Sequence, residues 1–162
     1  MANNHKDFFD NLYKAAPSNM RGLYMSVMMA QAAIESTFGT NWLATKYNNY
    51  FGIKANAAWN GQRVNAYTHE VVNGSKVGQY SDFRAYDSLS DGIKDYVNFL
   101  YVNKRYEKAG VFLAGSPEDE ARALQAAGYA TATSYANTII KYINNYNLTA
   151  YNKKKSGVGY IN

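Results

Sequence analysis

Apolar side chains recur every three to four positions along most of this chain, a period that predicts helices. Phe8, Leu12, Tyr13 and Ala16 fall on one face of a first helix, with Asn3 or Asn4 as its N-cap and Pro17 as its break. A longer helix reads from Ser18 or Met20 to a stop at Gly39 and carries Leu23, Tyr24, Val27, Met28 and Ile34. Met20, Met25, Met28 and Met29 are read as core filling. Thr40 or Asn41 opens a short helix with Trp42 and Leu43, and a turn-rich aromatic loop, Asn48-Asn49-Tyr50-Phe51-Gly52-Ile53-Lys54, follows.

From Arg63 to Phe83 the period changes to that of strand. Val71, Val72 and Val77 flank Asn73-Gly74, a dipeptide that predicts a two-residue hairpin turn. With that turn, Val72 faces Ser75, Glu70 faces Val77 and Thr68 faces Gln79. Thr68, Glu70 and Gln79 then share one face, and His69 lies on the other.

Helix returns after Ser88, with Asp91 three residues on and an apolar stripe of Leu89, Ile93, Tyr96, Val97 and Leu100. Ser116-Pro117-Glu118-Asp119 joins an N-cap, a proline at the first helical position and acids in the first turn. The helix it opens carries Ala121, Leu124 and Ala127 and ends at Gly128. A last helix from Ser134 to Asn147 presents Tyr135, Ile139, Tyr142, Ile143 and Tyr146. The polar stretch from Ala150 onward reads as a flexible tail. The pattern therefore predicts an α+β domain over residues 1–149, mainly helical with one small β-hairpin lobe, and a tail over 150–162.

Composition narrows the function. The chain has 162 residues, 47% of them hydrophobic, enough for one domain with a real core. Sixteen tyrosines suit either a cleft that grips sugars or a tyrosine-rich core rim. A formal charge of +5 favours polyanionic partners. No Lys/Arg block is dense enough for a nucleic-acid patch, the only run being Lys153-Lys154-Lys155. No apolar run approaches membrane-spanning length. Cysteine is absent, which excludes disulfides and thiol catalysis. The first residues hold no apolar signal segment. An enzyme acting outside a cell would then need another route, as in phage delivery, or be one domain of a longer protein.

Other chemistries drop out in turn. His5 and His69, the only histidines, lack metal-ligand spacing and stand near no serine-nucleophile pattern. No glycine-rich phosphate loop follows a strand. Carboxylates remain. Glu35 has Gln31, Ala32, Phe38 and Gly39 one turn away on its helix. An acid in that apolar stripe, at the negative end of a helix, resists ionisation. Glu70 lies on the hairpin, 35 positions downstream. An acid on a helix facing a second carboxylate on a small sheet suits glycosidic bond cleavage. Taken singly, each is also an ordinary solvated carboxylate.

Several motifs in one order are more specific. Gln31-Ala32-Ala33-Ile34-Glu35-Ser36-Thr37-Phe38-Gly39, then Asn48 to Lys54, resembles the N-acetylglucosaminidases of glycoside hydrolase family 73. Thr68-His69-Glu70, Phe83-Arg84-Ala85-Tyr86-Asp87-Ser88, Arg105-Tyr106, Gly128-Tyr129-Ala130-Thr131 and Tyr135-Ala136 continue the match, from about Ala15 to Leu148. That family comprises bacterial and phage peptidoglycan hydrolases with a lysozyme-like fold.

The resemblance implies Glu35 as general acid, Glu70 as a second acidic position on a flexible β-lobe, and Tyr129 as an active-site tyrosine that positions substrate or an intermediate. It puts Asn49, Phe51, Tyr86 and Tyr135 at cleft positions, with plain packing an equal reading for Phe51 and Tyr86. Gln79, beside Glu70 on its hairpin face, joins them as a substrate contact. Arg84 suits an ion-paired scaffold as well as a sugar contact. Two departures stand out: Ala132-Thr133 replaces the family's usual Asp-Pro, and Phe38 replaces a tryptophan as the apolar wall beside the acid.

The expectation is a monomer that needs no cofactor or metal, binds peptidoglycan glycan strands and anionic wall polymers, and acts on the bacterial wall without nucleic-acid or membrane partners. The favoured activity is cleavage on the reducing side of N-acetylglucosamine. Its rivals are a muramidase or lytic transglycosylase, and a wall-binding domain without catalysis. A phage lysin, a tail-associated hydrolase and an autolysin all fit.

Overall fold

The computed structural model describes residues 5–152, except for the side chain of Glu70. In chain order the elements are α1 (Lys6–Ala15), α2 (Met25–Ser36), α3 (Trp42–Tyr47), β1 (Gln62–Val72), β2 (Ser75–Ala85), α4 (Leu89–Val102), α5 (Lys104–Ala109), α6 (Pro117–Ala126) and α7 (Tyr135–Asn145). Short 3-10 turns at Val111–Leu113 and Leu148–Tyr151 complete the chain. The helices surround α2, and the β1–β2 hairpin forms a separate lobe.

Helix α2 has no polar face because it has no solvent face. Ten of its 12 residues are buried, including Ser26, Gln31 and Ser36. A helix this apolar all round belongs inside a core. Packed around it are Leu12 of α1, Tyr96 and Leu100 of α4, Leu124 of α6, and Ile139 and Ile143 of α7, all buried.

The helix is shorter than the apolar period predicts. Arg21 and Gly22 take left-handed backbone (φ 56° and 89°), so the chain turns before the helix begins at Met25 instead of Met20. Ser18 is therefore not its cap. The free N–H groups at its start are met from elsewhere in the chain. Glu120 Oε1 accepts from Tyr24 N at 2.8 Å, and Asn152 Oδ1 accepts from Ser26 N at 2.8 Å. This also corrects the expected tail, since Tyr151 Oη donates to Asp10 and Ala150–Asn152 are held against the fold. Residues 153–162 lie outside the described residues, as do Asn3 and Asn4, the expected caps of α1. His5 occupies that N-cap position.

At its other end α2 stops at Ser36, three residues before Gly39. Thr37, Phe38 and Gly39 all have positive φ (53°, 54° and 78°). Ser36 Oγ accepts from Gly39 N at 2.7 Å, and Asn41 Nδ2 donates to the Glu35 carbonyl at 3.0 Å. The reversal turns Phe38 away from its expected place beside the acid. Its ring stacks on His5 at 3.6 Å and packs against Phe8, Phe9, Tyr142 and Tyr146.

The hairpin keeps the expected register: Val72 pairs with Ser75, Glu70 with Val77 and Thr68 with Gln79. Asn73 and Gly74 carry the two positive φ values (52° and 81°) of a tight turn suited to strand twist. At the hairpin base Ala66 and Phe83 pack on Leu43 of α3, and Lys54 forms a single β-bridge to Phe83. Ser88 and Ser116 cap α4 and α6 by accepting from Asp91 N and Asp119 N. The apolar pattern does not predict helix α5, because only Tyr106 of its six residues is buried. Among the described residues, no helix is long and apolar enough to cross a membrane.

A buried ion pair joins the hairpin to α4. Arg84 Nη1 reaches Asp95 at 3.0 Å, and the guanidinium lies 4.5 Å over the Trp59 ring and 5.4 Å from that of Phe99. Breaking one side of such a pair leaves an uncompensated buried charge. Asp95→Ala is expected to destabilise the fold by about 3 kcal/mol in chemical denaturation, while combining Arg84→Met with Asp95→Leu recovers most of that loss.

Candidate active site

Glu35 is the penultimate residue of α2, where the helix leaves the core. Its side chain borders a cleft of about 710 Å³. The floor is the Phe51–Lys54 loop. One wall is the hairpin, through Thr68, His69 and Val71, and the other is α4–α5 and the Gly128–Thr131 loop, through Phe99, Arg105 and Tyr129.

The floor is held by side chains that the sequence suggested as ligand contacts. Asn49 is buried with its amide fully used. Its Nδ2 donates to the carbonyls of Ile53 (3.0 Å) and Arg84 (2.9 Å), and its Oδ1 accepts from the backbone of Phe51 and Ile53. Arg84 Nε donates to the Lys54 carbonyl at 3.1 Å. Phe51 stacks on Tyr96 at 4.2 Å, so it supports the cleft from beneath. Gly52, at φ 67°, needs the left-handed conformation, and a Cβ there would stand 3.5 Å from Glu35 Oε1. Glycine thus leaves the acid in contact with the cleft.

Behind Glu35 lies polar protein. Tyr135 Oη donates to Glu35 Oε2 at 3.2 Å. Gln31 Nε2, one turn back on α2, donates to Tyr135 Oη at 3.1 Å, and Tyr96 Oη donates to Gln31 Oε1. Tyr129 stacks on Tyr135 at 5.8 Å, and its hydroxyl donates to the Phe51 carbonyl at 3.3 Å. Burial pushes the Glu35 carboxyl up to about 7, and the Tyr135 hydrogen bond opposes this only in part. Burial also pushes the hydroxyls of Tyr129 and Tyr135 up, so both remain proton donors at neutral pH. The apolar environment expected around Glu35 is present, but the loop floor and the two tyrosines supply it in place of Phe38.

Of the residues singled out from sequence, Glu35, Phe51, Tyr129 and Tyr135 come together here. Asn49 and Tyr86 do not face the cleft as substrate contacts. Asn49 is spent on the loop, and Tyr86 is buried with its hydroxyl on Asp95. Tyr135 is likewise buried against Glu35 instead of open to a ligand. Gln79 is exposed on β2, outside the residues that line the cleft. Glu70 pairs with Val77 through its backbone, and its side chain lies outside the described residues. His69, expected on the far face, borders the cleft with Thr68, as the twist of a two-stranded ribbon allows. Sequence reasoning missed Gln31 as a polar contact. The only signal was a glutamine amid small apolar residues, which is costly to bury unless hydrogen-bonded. Among the described residues, no group of three His, Cys, Asp or Glu is placed to hold a metal ion.

A carboxyl protonated to about pH 7 at the edge of an open cleft can give a proton to a bound leaving group. Its raised pKa also has a thermodynamic sign. The folded state binds the Glu35 proton more tightly than the unfolded state, so this group's contribution to stability is full below about 4.5 and is lost as pH rises through about 7. Glu35→Gln removes that loss. Urea unfolding is expected to give similar stabilities at pH 5 and a variant more stable by on the order of 2 kcal/mol at pH 8.

The glucosaminidase family model, described as mannosyl-glycoprotein endo-β-N-acetylglucosaminidase, matches residues 12–148. Peptidoglycan hydrolase FlgJ of Salmonella typhimurium is 36% identical over 149 residues, which cover 88% of this chain and 46% of that protein. Exo-glucosaminidase LytG of Bacillus subtilis is 36% identical over 133 residues, covering 79% and 46%. The chain thus spans less than half the length of these relatives. The crystal structure of a peptidoglycan hydrolase mutant from Sphingomonas sp. A1 superposes with a TM-score of 0.72 at 35% identity, covering 88% of this chain and 92% of that one.

Proposed function

Because the chain belongs to the glucosaminidase family, glycoside hydrolase family 73, we propose that it hydrolyses peptidoglycan at the β-1,4 bond on the reducing side of N-acetylglucosamine. The observation that carries this reading is Glu35, desolvated at the edge of an open cleft with a pKa near 7. A glycan strand lies along the cleft, and Glu35 donates its proton to the glycosidic oxygen as the bond to the anomeric carbon breaks. Tyr135 stays protonated and donates to the carboxylate that forms, stabilising charge as it develops, while Tyr129 stacks on the Tyr135 ring with its hydroxyl on the floor loop. Glu70 has the second role. It either activates water for attack with inversion or orients the substrate's own acetamido group for attack with retention. The +5 charge holds the enzyme near an anionic wall.

Digestion of purified peptidoglycan, with the new reducing ends identified, tests the assignment. N-acetylglucosamine ends are expected, and muramic acid or anhydro-sugar ends would overturn it. Glu35→Gln is expected to lower turnover by about 10²- to 10⁴-fold with the fold intact by circular dichroism. The parent's rate is expected to fall as pH rises through about 7, since only the protonated acid is competent. Glu70→Gln is expected to reduce the rate, and wild-type turnover there would remove Glu70 from the mechanism.

A further inference from the structure

The hydrogen bonds behind Glu35 run in one direction. Tyr96 and Gln31 are both fully buried, one on α4 and the other on α2. The Tyr96 hydroxyl donates to Gln31 Oε1, which leaves the amide nitrogen of Gln31 facing Tyr135. With its oxygen accepting from that nitrogen, the Tyr135 hydroxyl sends its own proton to Glu35 Oε2. Tyr96 and Gln31 are closed to solvent and Tyr135 is only 4% exposed, so the run of hydrogen bonds reaches the cleft at Glu35.

We propose that Gln31, oriented by Tyr96, is a positioning residue that determines which oxygen of Glu35 carries the transferable proton. The proposal rests on the reading of Glu35 as the acid. Because Oε2 accepts from Tyr135, the acid's proton sits on Oε1, the oxygen beside Gly52 and the cleft. When the Oε1–H bond breaks, the proton passes to the glycosidic oxygen and the bonding electrons stay on the carboxylate. The Tyr135 bond to Oε2 then strengthens as negative charge grows, so it favours the transition state over the bound substrate. A reversed amide would act in the opposite sense. Gln31 would accept from Tyr135, the Tyr135 oxygen would accept from Glu35, and the acid's proton would be drawn onto Oε2, away from substrate.

Among the described residues, the titratable and charged groups placed around Glu35 by other elements are Tyr135 of α7, Tyr129, Lys54 of the floor loop, His69 of the hairpin, and Arg105 and Tyr106 of α5. Gln31→Met leaves all of them in place, keeps the side-chain volume and deletes both hydrogen bonds. The Tyr135 hydroxyl can then accept from protonated Glu35, which favours the neutral acid. On a soluble peptidoglycan fragment, kcat is expected to fall roughly tenfold with KM changed by less than about twofold. The alkaline limb of the kcat profile is expected to rise by about half to one pH unit. In a Tyr135→Phe background, Gln31→Met should add no further shift, because its effect passes through that hydroxyl. An unmoved limb, or an undiminished shift in the Tyr135→Phe background, overturns the proposal. Tyr96→Phe, which frees the amide to reverse, should shift the limb in the same direction and carries the test by the same criteria where Gln31→Met does not fold. Activity retained in Glu35→Gln would refute the acid assignment itself, whereas an inactive Glu35→Gln with an unmoved limb in Gln31→Met refutes only the relay.

Discussion

The constraint on which the rest depends is that α2 is buried along nearly all its length and opens only at its C-terminal turn. A helix with no polar face must be covered on every side, and α1, α4, α6 and α7 supply that cover. The single carboxylate it carries then emerges where the cover ends. Glu35 is held in place by the core itself, since displacing it would mean unpacking Met28, Ala32 and their neighbours.

Burial treats the charged groups of this protein in two ways. Arg84 and Asp95 are paired, stacked and bonded to backbone, so the hairpin base, the floor loop and α4 meet at one rivet. Glu120 is fully buried with one oxygen on the start of α2, and desolvation pushes its pKa well up. Glu35, like Glu120, has no cation partner among the described residues, but it borders the cleft and its one side-chain hydrogen bond comes from a neutral hydroxyl. A cation at that position would lower the carboxyl's pKa and cost the proton that the proposed role of Glu35 requires near neutral pH. The tyrosine steadies the conjugate base without doing so to the same degree.

Much of this was legible in local sequence. The Asn73-Gly74 turn fixed the hairpin register, and the Ser88 and Ser116 caps placed two helix starts, because each rests on contacts within a few residues. The desolvation of Glu35 was legible from helical spacing but its source was not, since the floor loop and two tyrosines stand where Phe38 was expected. What spacing did not reveal was settled by distant partners. The start of α2 depends on Glu120 and Asn152, 96 and 126 residues away from the groups they cap. The fate of Phe38 depends on three successive left-handed residues, two of them not glycine. Asn49 and Tyr86 carried the right chemistry for sugar contacts, but their polar atoms were already claimed by Arg84 and Asp95. Motif position identified the neighbourhood of the site, and only hydrogen-bond accounting separated the groups that face the cleft from those that build it.

That accounting gives the cleft two unequal halves. On one side, Glu35, Tyr135, Gln31 and Tyr96 are packed and bonded from the core outward, which under the proposed role of Glu35 makes a preorganised proton donor. On the other side, the hairpin packs on Leu43 of α3 at its base, and Val71, Val72 and Val77 near its tip are 40–49% exposed. Proton transfer tolerates little positional error, whereas gripping a polymer strand of varied conformation benefits from a wall that is not locked into the core. With Glu35 as the proposed donor, its place on the most buried helix, opposite a wall on the exposed hairpin, meets both demands within one small domain.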